Sequence, residues 1–111
     1  MGARNVRIAL HVEPDKLSDR GRIVLVVMAL HSLDRDYGDR PGSMYFGGRD
    51  LACATLGWYP DQASRRRFDR AVAELVRHGF VERERPAAGR RPAVYRLTLP
   101  VDNSTPDGPS R

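Results

Sequence analysis

A single cysteine, Cys53, occurs in 111 residues, so no intrachain disulfide can form. Histidine is sparse. His11, His31 and His78 lie far apart without ligand spacing, and no paired cysteines offer a zinc site. His78 falls where a helix end is expected, and a partly charged imidazole is favourable there without any function. Long apolar runs are missing too: the longest, Ile23 to Leu30, has eight residues and is too short to span a bilayer. The amino-terminal stretch has no signal-peptide pattern, so a cytoplasmic location is expected. No glycine-rich loop has phosphate-binding form, since Gly47-Gly48 lacks the surrounding residues. Nucleophile, base and metal constellations are all absent. The expectation is a protein that is not an enzyme, takes no cofactor and shows no motif for a small-molecule ligand.

Lysine is nearly absent as well. Lys16 is the only one among 19 basic residues, against 14 acidic, for a formal charge of +5. GC-rich coding explains arginine over lysine but not where the arginines sit. Residues 1–48 carry seven basic and six acidic groups, a net +1. Residues 49–96 carry eleven and six, a net +5, and residues 97–111 come to −1. A basic field confined to one segment favours a polyanionic partner.

The chain length fits one domain, expected over residues 1–100. The tail 101–111 lacks any buried pattern and is expected to be disordered. Val6, Ile8, Leu10 and Val12 alternate with polar or small residues and predict an amino-terminal strand. Ser18 is an N-cap for a helix running to about Leu33, with Ile23, Val26, Val27, Leu30 and Leu33 as its inward stripe, widened by Val24 and Leu25. Residues 34–43 read as a loop. Met44 to Phe46 reads as a short strand, and Arg49 to Leu56 as a short helix stopped by Gly57. A longer helix reaches His78, with either Asp61 or Ser64 as its N-cap, and Gly79 closes it. Phe80 to Arg85 and Ala93 to Leu99, around PAAGRRP, predict a hairpin.

On an ideal helix with Phe68 at 0°, Val72, Leu75 and Val76 fall near 40°, −20° and 80°, about one apolar face. Arg66, Arg70, Ala73 and Arg77 fall near 160°, 200°, 140° and 180°, roughly opposite. Such a face is either a solvated surface or a grip on nucleic acid. Arginine suits the second role because its planar fork can hold guanine O6 and N7, or a phosphate, with two hydrogen bonds. Arg66 and Arg70 are the candidates for base contacts, and Arg65 and Arg67 for phosphate. Arg90 and Arg91 sit at the hairpin tip, and Arg49 opens the short helix as a candidate phosphate clamp. Trp58 and Tyr59 read as core plugs or as stacking surfaces, and Cys53 as a small buried residue.

Asp50-Leu51-Ala52, Leu56-Gly57, Arg70-Ala71-Val72 with Leu75, and Gly79-Phe80-Val81 together resemble the winged helix-turn-helix superfamily over roughly residues 18–99. Within it the chain looks most like the DNA-binding domains of plasmid and phage replication proteins and small bacterial regulators. In those, a leading helix such as the one opened by Leu17-Ser18 precedes a glycine-rich loop. Gly57 to Ser64 is longer than the usual turn. The resemblance implies an α+β fold of three helices with a carboxy-terminal β-hairpin wing, here with the extra amino-terminal strand. It also implies sequence-specific binding of double-stranded DNA, in transcription regulation or in plasmid or phage replication, with a homodimer suiting a two-fold site. The competing reading is a winged-helix interaction module whose arginines grip an acidic protein.

Overall fold

Where alternation predicts a strand, the chain coils. In the computed structural model, which describes residues 3–39, 42–59 and 61–99, helix α1 spans Ala3–Leu10. Its ends are satisfied from far along the chain, which local periodicity cannot reveal. The Asp34 carboxylate accepts from the Arg4 and Asn5 amides at 3.0 and 2.9 Å, meeting two orphan donors of the first turn. Arg22 Nη1 donates to the Ala9 carbonyl at 3.0 Å and to that of Leu10 at 3.3 Å. Asn5, Ile8 and Ala9 are buried at i, i+3 and i+4, so a helical pattern competed with the period-two one and won. The described residues therefore hold four α-helices, not three, and no amino-terminal strand.

A 3₁₀ turn (Pro14–Lys16) leads to α2 (Asp19–Leu30), whose N-cap is Ser18; its hydroxyl accepts from the Gly21 amide at 3.0 Å. The helix stops at Leu30, short of Leu33. Ser32 then folds back, donating from Oγ to the Ala29 carbonyl at 2.8 Å. Asn5 Nδ2 lies within 3.3 Å of Ser32 Oγ, the Leu33 carbonyl and Ser43 Oγ, and the Ser43 amide donates to the Leu33 carbonyl at 2.7 Å. Both ends of the following loop are thus tied at one buried point.

The inward stripe expected for α2 is corrected in part: Val24, Leu25 and Val27 are buried as expected. Ile23 and Leu30 are 48% and 39% exposed, whereas Gly21, Val24, Leu25 and Met28 face inward at i, i+3, i+4 and i+7. This helix is apolar on nearly every side, so periodicity alone cannot fix its rotation. A partner does. Glu74, from the last long helix, accepts from the Ser18 amide at 2.8 Å and its hydroxyl at 2.6 Å. Its Oε1 lies 2.6 Å from where a Cβ on residue 21 would sit, so a side chain there would push the carboxylate off its present position.

Strand β1 (Met44–Tyr45) precedes α3 (Gly48–Leu56), and α4 (Gln62–Arg77) follows. Gly57 and Gly79 end these helices at φ of 72° and 80°, as their sequence positions suggest. Asp61 is the N-cap of α4, accepting from the Ser64 amide at 2.8 Å, while Ser64 itself is buried. Val76, expected inside, is 43% exposed at the edge of the stripe; Ala71 fills the core instead. Strands β2 (Val81–Arg85) and β3 (Val94–Leu97) complete an antiparallel sheet of order β1-β3-β2. A register irregularity lies between Arg83 and Arg85. Phe68, Val72 and Leu75 meet Val24, Leu25 and Met28 of α2, Ala52 and Cys53 of α3, and Tyr45, Val81 and Tyr95 of the sheet in one core. The tail expected over 101–111 lies outside the described residues. Among the described residues no helix is long and apolar enough to cross a membrane.

Two outcomes follow from the Glu74 contact. Glu74→Ala should cost about 1.5–3 kcal/mol, the range for hydrogen bonds to a charged acceptor. Gly21→Ala should destabilise the wild type yet be neutral or stabilising in the Glu74→Ala background, where the clash is gone; urea midpoints of the four proteins read this coupling. Burial opposes ionisation of Glu74, but its two hydrogen bonds from Ser18 and the charges of His78 and Arg77 hold its carboxyl below the ordinary glutamate value. A folded-state value lowered in this way gives stability that is present above the unfolded value of about 4.3 and lost as pH falls through the folded one. Acid unfolding should therefore erode the wild type more than Glu74→Ala below roughly pH 4.3.

Candidate nucleic-acid interface

Four sides of α4 have four different neighbours. Phe68, Ala71, Val72 and Leu75 are sealed in the core. On one flank Arg67, half-buried, lies over the Trp58 ring at 4.9 Å from its centroid, next to Glu74 reaching Ser18. On the other flank Asp69 pairs with Arg49 of α3 at 3.2 Å, and Arg65 approaches Asp50 at 4.0 Å. The remaining side carries Arg66, Arg70, Ala73 and Arg77, all exposed. Neither Arg66 nor Arg70 is ion-paired with a carboxylate among the described residues. Two guanidiniums one turn apart thus project from a rigid helix, with only the Ala73 methyl between them and Arg77.

The hairpin stands beside this helix. Its tip is closed by reciprocal backbone hydrogen bonds between Ala88 and Arg91, at 3.1 and 2.9 Å. Gly89 takes φ of 59° at the first turn position, where a two-residue II′ turn needs glycine. That turn leaves Arg90 and Arg91 exposed. Along β2 the alternation sorts charge onto two faces: Glu84 pairs with Arg96, and Arg83 lies over the Tyr95 ring, 5.8 Å from its centroid. Gly48 has φ of 68°, and a Cβ there would lie 2.5 Å from the Pro92 Cβ, so its lack of a side chain lets the hairpin rest on the start of α3.

The eight arginines singled out by sequence fall into three groups. Arg66, Arg70 and Arg77 share the outer side of α4. Arg49, Arg65, Arg90 and Arg91 line one open cleft of about 710 Å³ between α3, α4 and the hairpin. Arg67 stands apart on Trp58. Arg83, not among the arginines singled out by sequence, joins the cleft; alternation with Glu82 and Glu84 puts it on a basic face of the strand, below the tip on which the sequence reading centred. Tyr59 is 79% exposed, while Trp58 is half-buried beneath Arg67. His31 Nε2 lies 3.0 Å from Thr55 Oγ1, and no group of three or more His, Cys, Asp or Glu suited to a metal occurs among the described residues. Cys53 is buried, and burial followed by the nearby Asp50 charge pushes its thiol above the ordinary value.

Comparison with known proteins finds no matching family model, no matching curated protein and no matching solved structure.

A buried thiol that resists ionisation reacts slowly. Ellman's reagent should therefore leave Cys53 largely unmodified in the native state and titrate one thiol after denaturation; fast native labelling would contradict this placement.

Proposed function

We propose that the chain is a winged helix-turn-helix protein that binds double-stranded DNA sequence-specifically, with α4 in the major groove and the β2–β3 hairpin as the wing. The order of elements after α1 supports this reading: helix, short strand, helix, turn, helix, hairpin, with β1 against β3, the second hairpin strand and the centre of the sheet. The observation that carries it is the outer side of α4. Arg66 and Arg70 present guanidinium forks with no competing carboxylate, and Ala73 keeps the surface low enough for the groove edge to approach. Arg77 extends the same stripe. Arg49, Arg65, Arg90 and Arg91 are placed to meet flanking phosphates, and Arg67 contributes charge while stacked on Trp58. The biological role this suits is a cytoplasmic transcription regulator or a plasmid or phage replication factor, without catalysis.

Selection from a random duplex pool tests the reading directly. A recovered motif is expected, and a palindromic one would report binding as a dimer. Arg66→Ala and Arg70→Ala should each weaken binding to that motif by about 1–3 kcal/mol and relax base preference. If about four phosphates are neutralised, affinity should fall on the order of 100-fold between roughly 50 and 200 mM salt. Equal losses on all sequences would make these arginines phosphate contacts. Absent DNA binding alongside tight binding to an acidic protein would replace the proposal by an interaction module.

A further inference from the structure

We propose that the cleft between the start of α3, the side of α4 and the hairpin binds a small phosphate ester or pyrophosphate, as a site separate from the outer side of α4. Its volume of about 710 Å³ is ample for a small molecule held against one open, arginine-lined wall. Five arginines line it, Arg49, Arg65, Arg83, Arg90 and Arg91, together with two acidic residues, Asp50 and Asp69. Five positive and two negative charges leave a net +3 in one concavity.

The two carboxylates do not cancel this field where it matters. Asp69 is held by Arg49 at 3.2 Å. Asp50 sits at the 4.0 Å limit from Arg65, a loose contact that an anion could exchange. Arg83, Arg90 and Arg91 have no ion-pair partner among the described residues. Three cations facing one hollow without a counter-charge repel one another, and a concave surface concentrates their field. A tetrahedral anion relieves that repulsion and offers each arginine fork two acceptor oxygens.

The site is also held in shape before any ligand arrives. The Gly48–Pro92 approach seats the hairpin on α3, and the Ala88–Arg91 bridge fixes the tip. The Tyr95 ring lies beneath Arg83 and limits where its guanidinium can go. The backbone frame is therefore set beforehand, and the ordering cost of binding falls on the exposed arginine side chains. Arg66, Arg70 and Arg77 do not line this cleft, so its occupancy is measurable on the free protein and does not depend on DNA recognition. A phosphate ligand seated there would neutralise the wing tip and so compete with any backbone phosphate that the same arginines meet.

Calorimetric titration of the full chain with pyrophosphate, and separately with ADP, in divalent-free buffer at near-physiological salt tests the proposal. Saturable one-to-one binding is expected for at least one of them. Arg83→Ala and Arg91→Ala should each weaken it about tenfold, the scale of a lost charge-assisted hydrogen bond, while Arg20→Ala, a charge-matched change on α2, leaves it within about twofold. Far-UV circular dichroism confirms that each variant is folded, and the wild-type titration decides the matter even if one is not. No saturable heat with either probe overturns the proposal. So does an equal loss in Arg20→Ala, which signals diffuse charge attraction. Protection of Arg83 and Arg91 by duplex DNA with no pyrophosphate or ADP binding assigns the cleft to the DNA backbone alone and overturns it too. Phosphate binding that persists in a protein with no affinity for duplex DNA would sustain this site while removing the DNA reading.

Discussion

The seating of α4 is the constraint on which the rest depends. Phe68, Ala71, Val72 and Leu75 give it one apolar side, and burying that side fixes the rotation of the helix about its axis. Each flank is then fastened by a different chemistry. Glu74 reaches the amino end of α2 through Ser18, and Arg67 lies on Trp58. Asp69 and Arg65 meet Arg49 and Asp50 of α3. A helix held on three sides has one left, and that side is where Arg66, Arg70 and Arg77 emerge. Their convergence is a by-product of packing, with no contact among themselves to hold them together.

The acidic residues are as informative as the basic ones. Asp61 is spent on the N-cap of α4, Glu74 on α2, Asp34 on α1, and Glu84 on Arg96. Asp50 and Asp69 hold arginines at the edge of the cleft. Nearly every described carboxylate near α4 therefore has a local structural task. Folding leaves the net positive charge of residues 49–96 unchanged, since it comes from eleven basic against six acidic groups; what the carboxylates' tasks decide is which arginines stay unpaired.

Much of this was legible in the sequence where the signal was local. Ser18, Gly57 and Gly79 mark helix ends through groups within three residues of themselves, and the turn around Gly89 marks the hairpin. The arginine side of α4 followed from spacing alone. What could not be read depended on distant partners. Helix α1 needs Asp34 and Arg22 to satisfy its ends, so its alternating residues looked like a strand. The rotation of α2 needs Glu74 to come close at Gly21, so Ile23 and Leu30 looked inward. The cleft needs the hairpin folded back onto Gly48, so Arg83 could not be told from the other charges of its strand. Asp61 and Ser64 were indistinguishable as caps because both side chains suit the role; burial of Ser64 separates them.

The buried tie around Asn5 has a consequence for how the chain tolerates change. Its amide joins Ser32, Leu33 and Ser43, so the two ends of the segment between Leu33 and Ser43 meet at a single knot. Strand β1 begins immediately after that knot and inherits its register from it. Extra residues spliced into the outer part of this segment, near the exposed Tyr37, would lengthen a closed bight without tugging on the sheet, because closure entropy grows only with the logarithm of length. That bight is the natural place to graft a reporter peptide or a tether while α4 stays where it is.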